Sequence, residues 1–79
     1  MPKAVPSPYV KYRRDGSVYA TGQLRDGVPV GYWEWFRPDG TIKRSGHFDD
    51  KGERTGEWKT YDARGWVIVQ HFILAKPRH

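Results

Sequence analysis

Gly22-Gln23-Leu24-Arg25-Asp26-Gly27-Val28-Pro29-Val30-Gly31-Tyr32-Trp33 returns, one residue longer, as Gly46-His47-Phe48-Asp49-Asp50-Lys51-Gly52-Glu53-Arg54-Thr55-Gly56-Glu57-Trp58. The shared frame is Gly-x-Leu/Phe, a turn with Gly, three residues, then Gly-x-Trp, and the extra residue falls in the Asp49–Gly52 turn. Working outward, Asp15-Gly16 recurs as Asp39-Gly40, 24 residues on, and as Arg64-Gly65, 25 further; Tyr12, Phe36 and Tyr61 open each unit at the same offsets. Such a period marks one supersecondary unit copied along the chain. The third copy runs out after Trp66-Val67-Ile68-Val69, where His71 replaces Gly22 and Gly46.

Asp-Gly pairs between β-branched and aromatic runs are hairpin signals, because glycine accepts the positive φ of a tight turn. Strands are expected near residues 9–14, 17–25, 31–36, 41–48, 56–61 and 66–73. No window has helical periodicity, and glycine interrupts the chain too often for a long helix. Short links between successive strands dictate an antiparallel meander. The fold class is therefore all-β: a twisted single sheet of about six strands built from hairpin repeats of roughly 24–25 residues. The expected organisation is a flexible segment over 1–8, one β-repeat domain over 9–74 with units near 12–35, 36–60 and 61–74, and a basic tail over 75–79.

The repeated Gly-x-Leu/Phe, Gly and Gly-x-Trp positions, followed by an aromatic residue and an Asp-Gly turn, resemble MORN-type repeats. The likeness is to the variant found in bacterial MORN-like repeat antitoxins and covers residues 12 to about 73. It implies a β-ribbon repeat fold and, for function, the neutralising partner of a toxin. The motif is specific for the fold and weak for the activity.

Positions that recur at the period serve the fold; large apolar residues that do not recur are free for other work. The scaffold set is Gly22, Leu24, Gly31, Trp33, Gly46, Phe48, Gly56 and Trp58, with Val18, Ile42 and Val67 and the unit-opening aromatics beside them. Ile73 stands as the third counterpart of Leu24 and Phe48. Val18, Ala20, Gly22 and Leu24 are expected to share one strand face. Tyr19, Tyr32, Trp35 and Trp66 have no aromatic counterpart one unit away and are candidates for partner contact, joined by Ile68 and Phe72 in the last strand; the alternative is a second, smaller core.

Residues 66–74 are apolar on both alternating faces, the pattern of a strand covered on both sides. The meander nevertheless leaves this strand last, where an unpaired edge invites association. Its cover is the Pro6–Tyr9 segment folded back, a second copy of the chain, or another protein.

The 79 residues suffice for one small domain with a thin core. Aromatics, at 15% of the chain, supply much of its apolar area. Without cysteine there is no disulfide and no thiolate metal site. Neither a signal segment nor a membrane span stands out, so a cytoplasmic protein is expected and membrane partnership is not.

The net charge is +5, yet Lys3, Lys11, Arg13, Arg14, Lys76 and Arg78 hold six of the cations at the two ends; residues 15–75 carry eight Lys and Arg against nine Asp and Glu. Interleaved acids, as in Arg25-Asp26 and Glu53-Arg54, weigh against a phosphate-tracking surface.

Catalytic chemistry finds no motif. His47, His71 and His79 lack ligand spacing, Ser7, Ser17 and Ser45 lack a nucleophile turn, and Asp49-Asp50 is too few oxygens for calcium. Catalytic, cofactor and metal sites are all expected to be absent. The expected function is a protein-interaction module, an antitoxin if the resemblance carries that far. The second reading is nucleic-acid or acidic-membrane binding through basic tails and exposed rings.

Overall fold

Five turns set the topology of the chain, whose residues 5–72 are described by a computed structural model. Asp26 and Gly27 both take positive φ, 53° and 80°, in the two-residue turn whose twist matches that of the strands it joins. The other four, Arg13–Ser17, Arg37–Thr41, Asp49–Glu53 and Asp62–Trp66, share one pattern. The first residue donates its N–H to the carbonyl of the fifth, and the glycine at the fourth place donates to the carbonyl of the first, all at 2.7–3.0 Å.

Between the turns run β1 (Ser7–Tyr12), β2 (Val18–Arg25), β3 (Val28–Phe36), β4 (Ile42–Phe48), β5 (Arg54–Tyr61) and β6 (Val67–Phe72). They form one six-stranded sheet in chain order, every neighbour antiparallel. This is the all-β meander read from the sequence. The thinnest extent of 14 Å leaves no room for a second layer. β1 and β6 are its two open edges.

The core is a row of rings lying on one face. Trp33 and Trp58 are 6% and 5% exposed, so the recurring tryptophans are buried. Each ring lies over a glycine of the preceding strand: a Cβ on Gly22 would stand 2.0 Å from Trp33 Cδ2, and one on Gly46 2.1 Å from Trp58 Cδ2. Only glycine permits that approach. The indole N–H groups are satisfied from the backbone, Trp33 donating to the carbonyls of Val30 and Gln23 at 3.1 and 3.2 Å and Trp58 to that of His47 at 3.0 Å. Gly31 and Gly56, with φ of 73° and 72°, sit where β3 and β5 each carry two residues more than the strand before them, which lets the following tryptophan swing across.

Arginines stitch one hairpin to the next. Arg13 donates to the carbonyl of Val18 at 3.3 Å and, across the sheet, to that of Phe36 at 2.7 Å. Arg37, 24 residues later, donates to the carbonyls of Ile42 and Tyr61. At the opposite end Arg25 reaches the Asp50 carboxylate at 3.1 Å and its carbonyl at 3.4 Å.

Several expectations are corrected. β1 begins at Ser7, inside the segment read as flexible, because Ser7 and Pro8 pair with Leu24 and Gln23. That pairing also puts the N-terminal segment at the edge opposite β6, so it does not cover the last strand. Among the described residues of the chain nothing covers β6, which is exposed from Val67 to His71.

Val18 does not share the face of Ala20 and Leu24. The β1–β2 register pairs Lys11 with Ala20 and Tyr12 with Val18 and skips Tyr19, a bulge that turns Val18 toward Thr21 and Phe36. The same bulge skips Lys43 in β4, but pairing of β5 with β6 has no shift. Lacking that residue, the third unit places Gln70, not His71, opposite Trp58, as Gly46 lies opposite Trp33. Phe72 opposite Gly56 then matches Phe48 opposite Gly31. Ile73 and the basic tail lie outside the described residues.

Candidate functional site: a ring-lined cationic face and an open edge

Strand alternation sorts the side chains of the sheet into two chemically different surfaces. One rung on the tryptophan face runs Lys11, Ala20, Trp35, Arg44, Thr60, Ile68 through successive pairings. The corresponding rung on the other face runs Thr21, Glu34, Ser45, Lys59, Val69.

Rings form a continuous row across the tryptophan face. Trp35 stacks on Trp33 and Trp58, with centroids 6.0 and 5.4 Å away and planes 27° and 29° apart. Phe48 sets its edge against Trp58 at 5.2 Å, Phe72 caps Trp58 at 5.9 Å, and Tyr9 meets Trp33 at 6.0 Å. Cations lie among these rings. The Arg54 guanidinium sits 5.1 Å from the Trp58 ring and 5.3 Å from that of Phe72, while Lys11 and Arg13 approach the Tyr19 ring at 5.5 and 5.2 Å.

Tyr19, Trp35, Lys43, Arg44, Phe48, Arg54 and Trp58 line one hollow of this face. A neighbouring hollow adds Tyr9, Lys11 and Trp33. Among the described residues no carboxylate lines either. The two strand acids point the other way: Glu34 accepts the Tyr32 hydroxyl at 2.8 Å, and Glu57 pairs with Lys59 at 3.7 Å. The remaining acids lie in turns, where Asp15 accepts both the N–H and the hydroxyl of Ser17, and Asp39 does the same for Thr41. Those bonds hold both carboxyls below the usual aspartate range.

The residues proposed for contact are divided among three places. Tyr19 and Trp35 come together in the cationic hollow, Trp35 as a half-buried member of the ring row. Phe72 packs on Trp58 and Arg54, and Ile68, 64% exposed, extends the Trp35–Arg44 rung to the sheet edge. Tyr32 lies on the opposite face with its ring 5.1 Å from that of His47, and burial followed by the bond to Glu34 raises its phenol above the ordinary value. Trp66, 68% exposed, closes the last turn by donating its N–H to Asp62 Oδ1 at 2.9 Å.

Sequence reading missed Lys43, Arg44 and Arg54 as a set. Their signal was legible in the alternation, since Trp33-Glu34-Trp35 and Gly56-Glu57-Trp58 each place an acid on the face away from the rings.

The two edges also differ. β1 carries Pro8 and Lys11, residues that discourage strand addition, whereas Val67-Ile68-Val69-Gln70-His71-Phe72 contains neither Pro, Lys nor any acid. Among the described residues no cluster of three His, Cys, Asp or Glu could hold a metal ion, and no helix is long and apolar enough to cross a membrane. No family model, curated protein or solved structure matches the chain.

Proposed function

We propose that the chain is a non-catalytic protein-binding module that extends its sheet by taking a partner's strand onto β6. The observation that carries this reading is the contrast of the edges: β1 is guarded by Pro8 and Lys11, and β6 exposes Val67, Ile68 and Val69 without a guard. The partner the chain itself offers is a second β6. Antiparallel pairing centred on Val69 would set Val69 against Val69 and Ile68 against Gln70, and the strand brings no charge to repel its copy.

Sedimentation of the purified chain over a range of concentrations tests this. A reversible dimer is expected, and a Val69→Pro variant should be monomeric while keeping its strand content. A wild-type chain that stays monomeric, with β6 edge amides exchanging freely, removes the reading. The MORN-like resemblance adds that the physiological partner is a toxin. A toxin encoded beside this chain should be neutralised on co-expression, and Val69→Pro should abolish the protection.

A further inference from the structure

We infer that the ring-and-cation face of the sheet is a binding site for single-stranded nucleic acid, independent of whatever pairs with β6. The net charge of the chain says little about this, since the central segment is nearly neutral. Placement decides it. Lys43, Arg44 and Arg54 share one hollow with the rings of Tyr19 and Trp35, no described acid lines that hollow, and none of the three is ion-paired to a described acid. Lys11 extends the same charge toward β1. The sequence-adjacent acids that would neutralise these cations are on the far face or in the turns.

The orientation of the rings selects among anionic partners. The Trp33 and Trp58 rings lie over the backbone of Gly22 and Gly46, and Trp35 is within 30° of parallel to both, at 27° and 29°. Trp33 and Trp58 are themselves buried, so the ring surface open to a ligand is that of the half-buried Trp35 and the exposed Tyr19. Planes suit the stacking of unpaired bases, which every base can supply, while cations beside them hold the phosphates. A bilayer calls for rings that project from the surface, an acidic peptide would leave the rings idle, and a duplex hides its base faces. From Tyr19 on β2 to Ile68 on β6 the row crosses four strand spacings, roughly 19 Å, a span suited to a short oligomer of several nucleotides.

The test is fluorescence anisotropy of labelled ten-nucleotide oligothymidylate with the whole chain, beside a duplex of the same length, polyglutamate, and phosphatidylserine vesicles. Oligothymidylate should bind most tightly and quench tryptophan fluorescence. Its logarithmic salt slope should be about −2, the value for some three single-strand phosphate contacts. The triple variant Lys43→Gln, Arg44→Gln, Arg54→Gln should lose at least about tenfold in affinity, and Tyr19→Ser about fivefold or more. A control with the same net charge, Lys51→Gln, Lys59→Gln, Arg64→Gln, should bind like the parent. All these substituted side chains are surface groups, and near-ultraviolet circular dichroism checks that the tryptophan row survives. Equal losses in the triple variant and its control overturn the site, because binding would then follow net charge alone. Tighter binding to the vesicles, the duplex or polyglutamate overturns the ligand class, and no binding at low salt overturns the inference as a whole.

Discussion

The middle of the sheet and its last strand are built from similar-looking sequence yet held by different means. In the middle, Trp33 and Trp58 each lie on a glycine of the preceding strand, β2 and β4 each carry a one-residue bulge, and an arginine ties each hairpin to the next. β6 keeps the phenylalanine opposite a glycine but has Gln70 where the glycine would be, lacks the bulge, and leaves Val67 to Val69 exposed. The difference teaches that on the tryptophan face Ile68 is exposed because no further strand brings a ring over it, whereas Val67 and Val69 lie on the opposite face. The strand that ends the ladder has no ring to lie on it.

That contrast can be broken most forcefully at the tryptophans. Trp58→Ala should cost about 3–5 kcal/mol in urea unfolding, and Trp66→Ala, at an exposed turn end, less than about 0.5 kcal/mol. Comparable losses at both positions would erase the distinction between ladder and edge. Next in size is the stitching. Arg37→Gln removes two charge-assisted bonds to backbone carbonyls and should cost about 1–3 kcal/mol, with Arg13→Gln similar. Arg64→Gln, whose side chain is 82% exposed, should change the melting midpoint little.

The smallest effect is in the acid limb of stability. Asp15 and Asp39 accept bonds from Ser17 and Thr41 that lower their pKa in the fold. A carboxyl lowered by folding contributes stability above its unfolded pKa, here 3.8, and loses it as pH falls through the folded value. Urea midpoints followed downward from about pH 5 should therefore fall, and the double variant Asp15→Asn, Asp39→Asn should flatten that fall. An unchanged acid limb in the variant would show that the turn bonds are not linked to folding.

Much of the fold was legible because Asp-Gly and its relatives punctuate the strands, and six strands emerge close to where alternation and turn chemistry put them. What could not be read were the bulges. Tyr19 and Lys43 look like ordinary members of a strand, yet skipping each reverses the face of Val18 and of Ile42 relative to the residues that follow. The missing bulge in β6 shifts its register by one, which is why Phe72 occupies the place that spacing alone assigns to Ile73. Arg13 and Arg37 repeat at the period, but a charge count files them with the solvated cations. The cationic hollow was hidden for a related reason: acids next to lysines and arginines in sequence are their neighbours in a coil, whereas in a strand they face away.

The central claim is that Gly46 is glycine because the Trp58 ring occupies the space of its side chain, and a double-mutant cycle at the two positions reads it directly. Gly46→Ala alone should destabilise by about 1–3 kcal/mol, since its methyl group meets the ring. In a Trp58→Ala background the same change should be neutral or slightly stabilising, as alanine is less costly than glycine in a strand. Additive losses in the cycle would contradict the account, for they would mean that glycine and ring act separately.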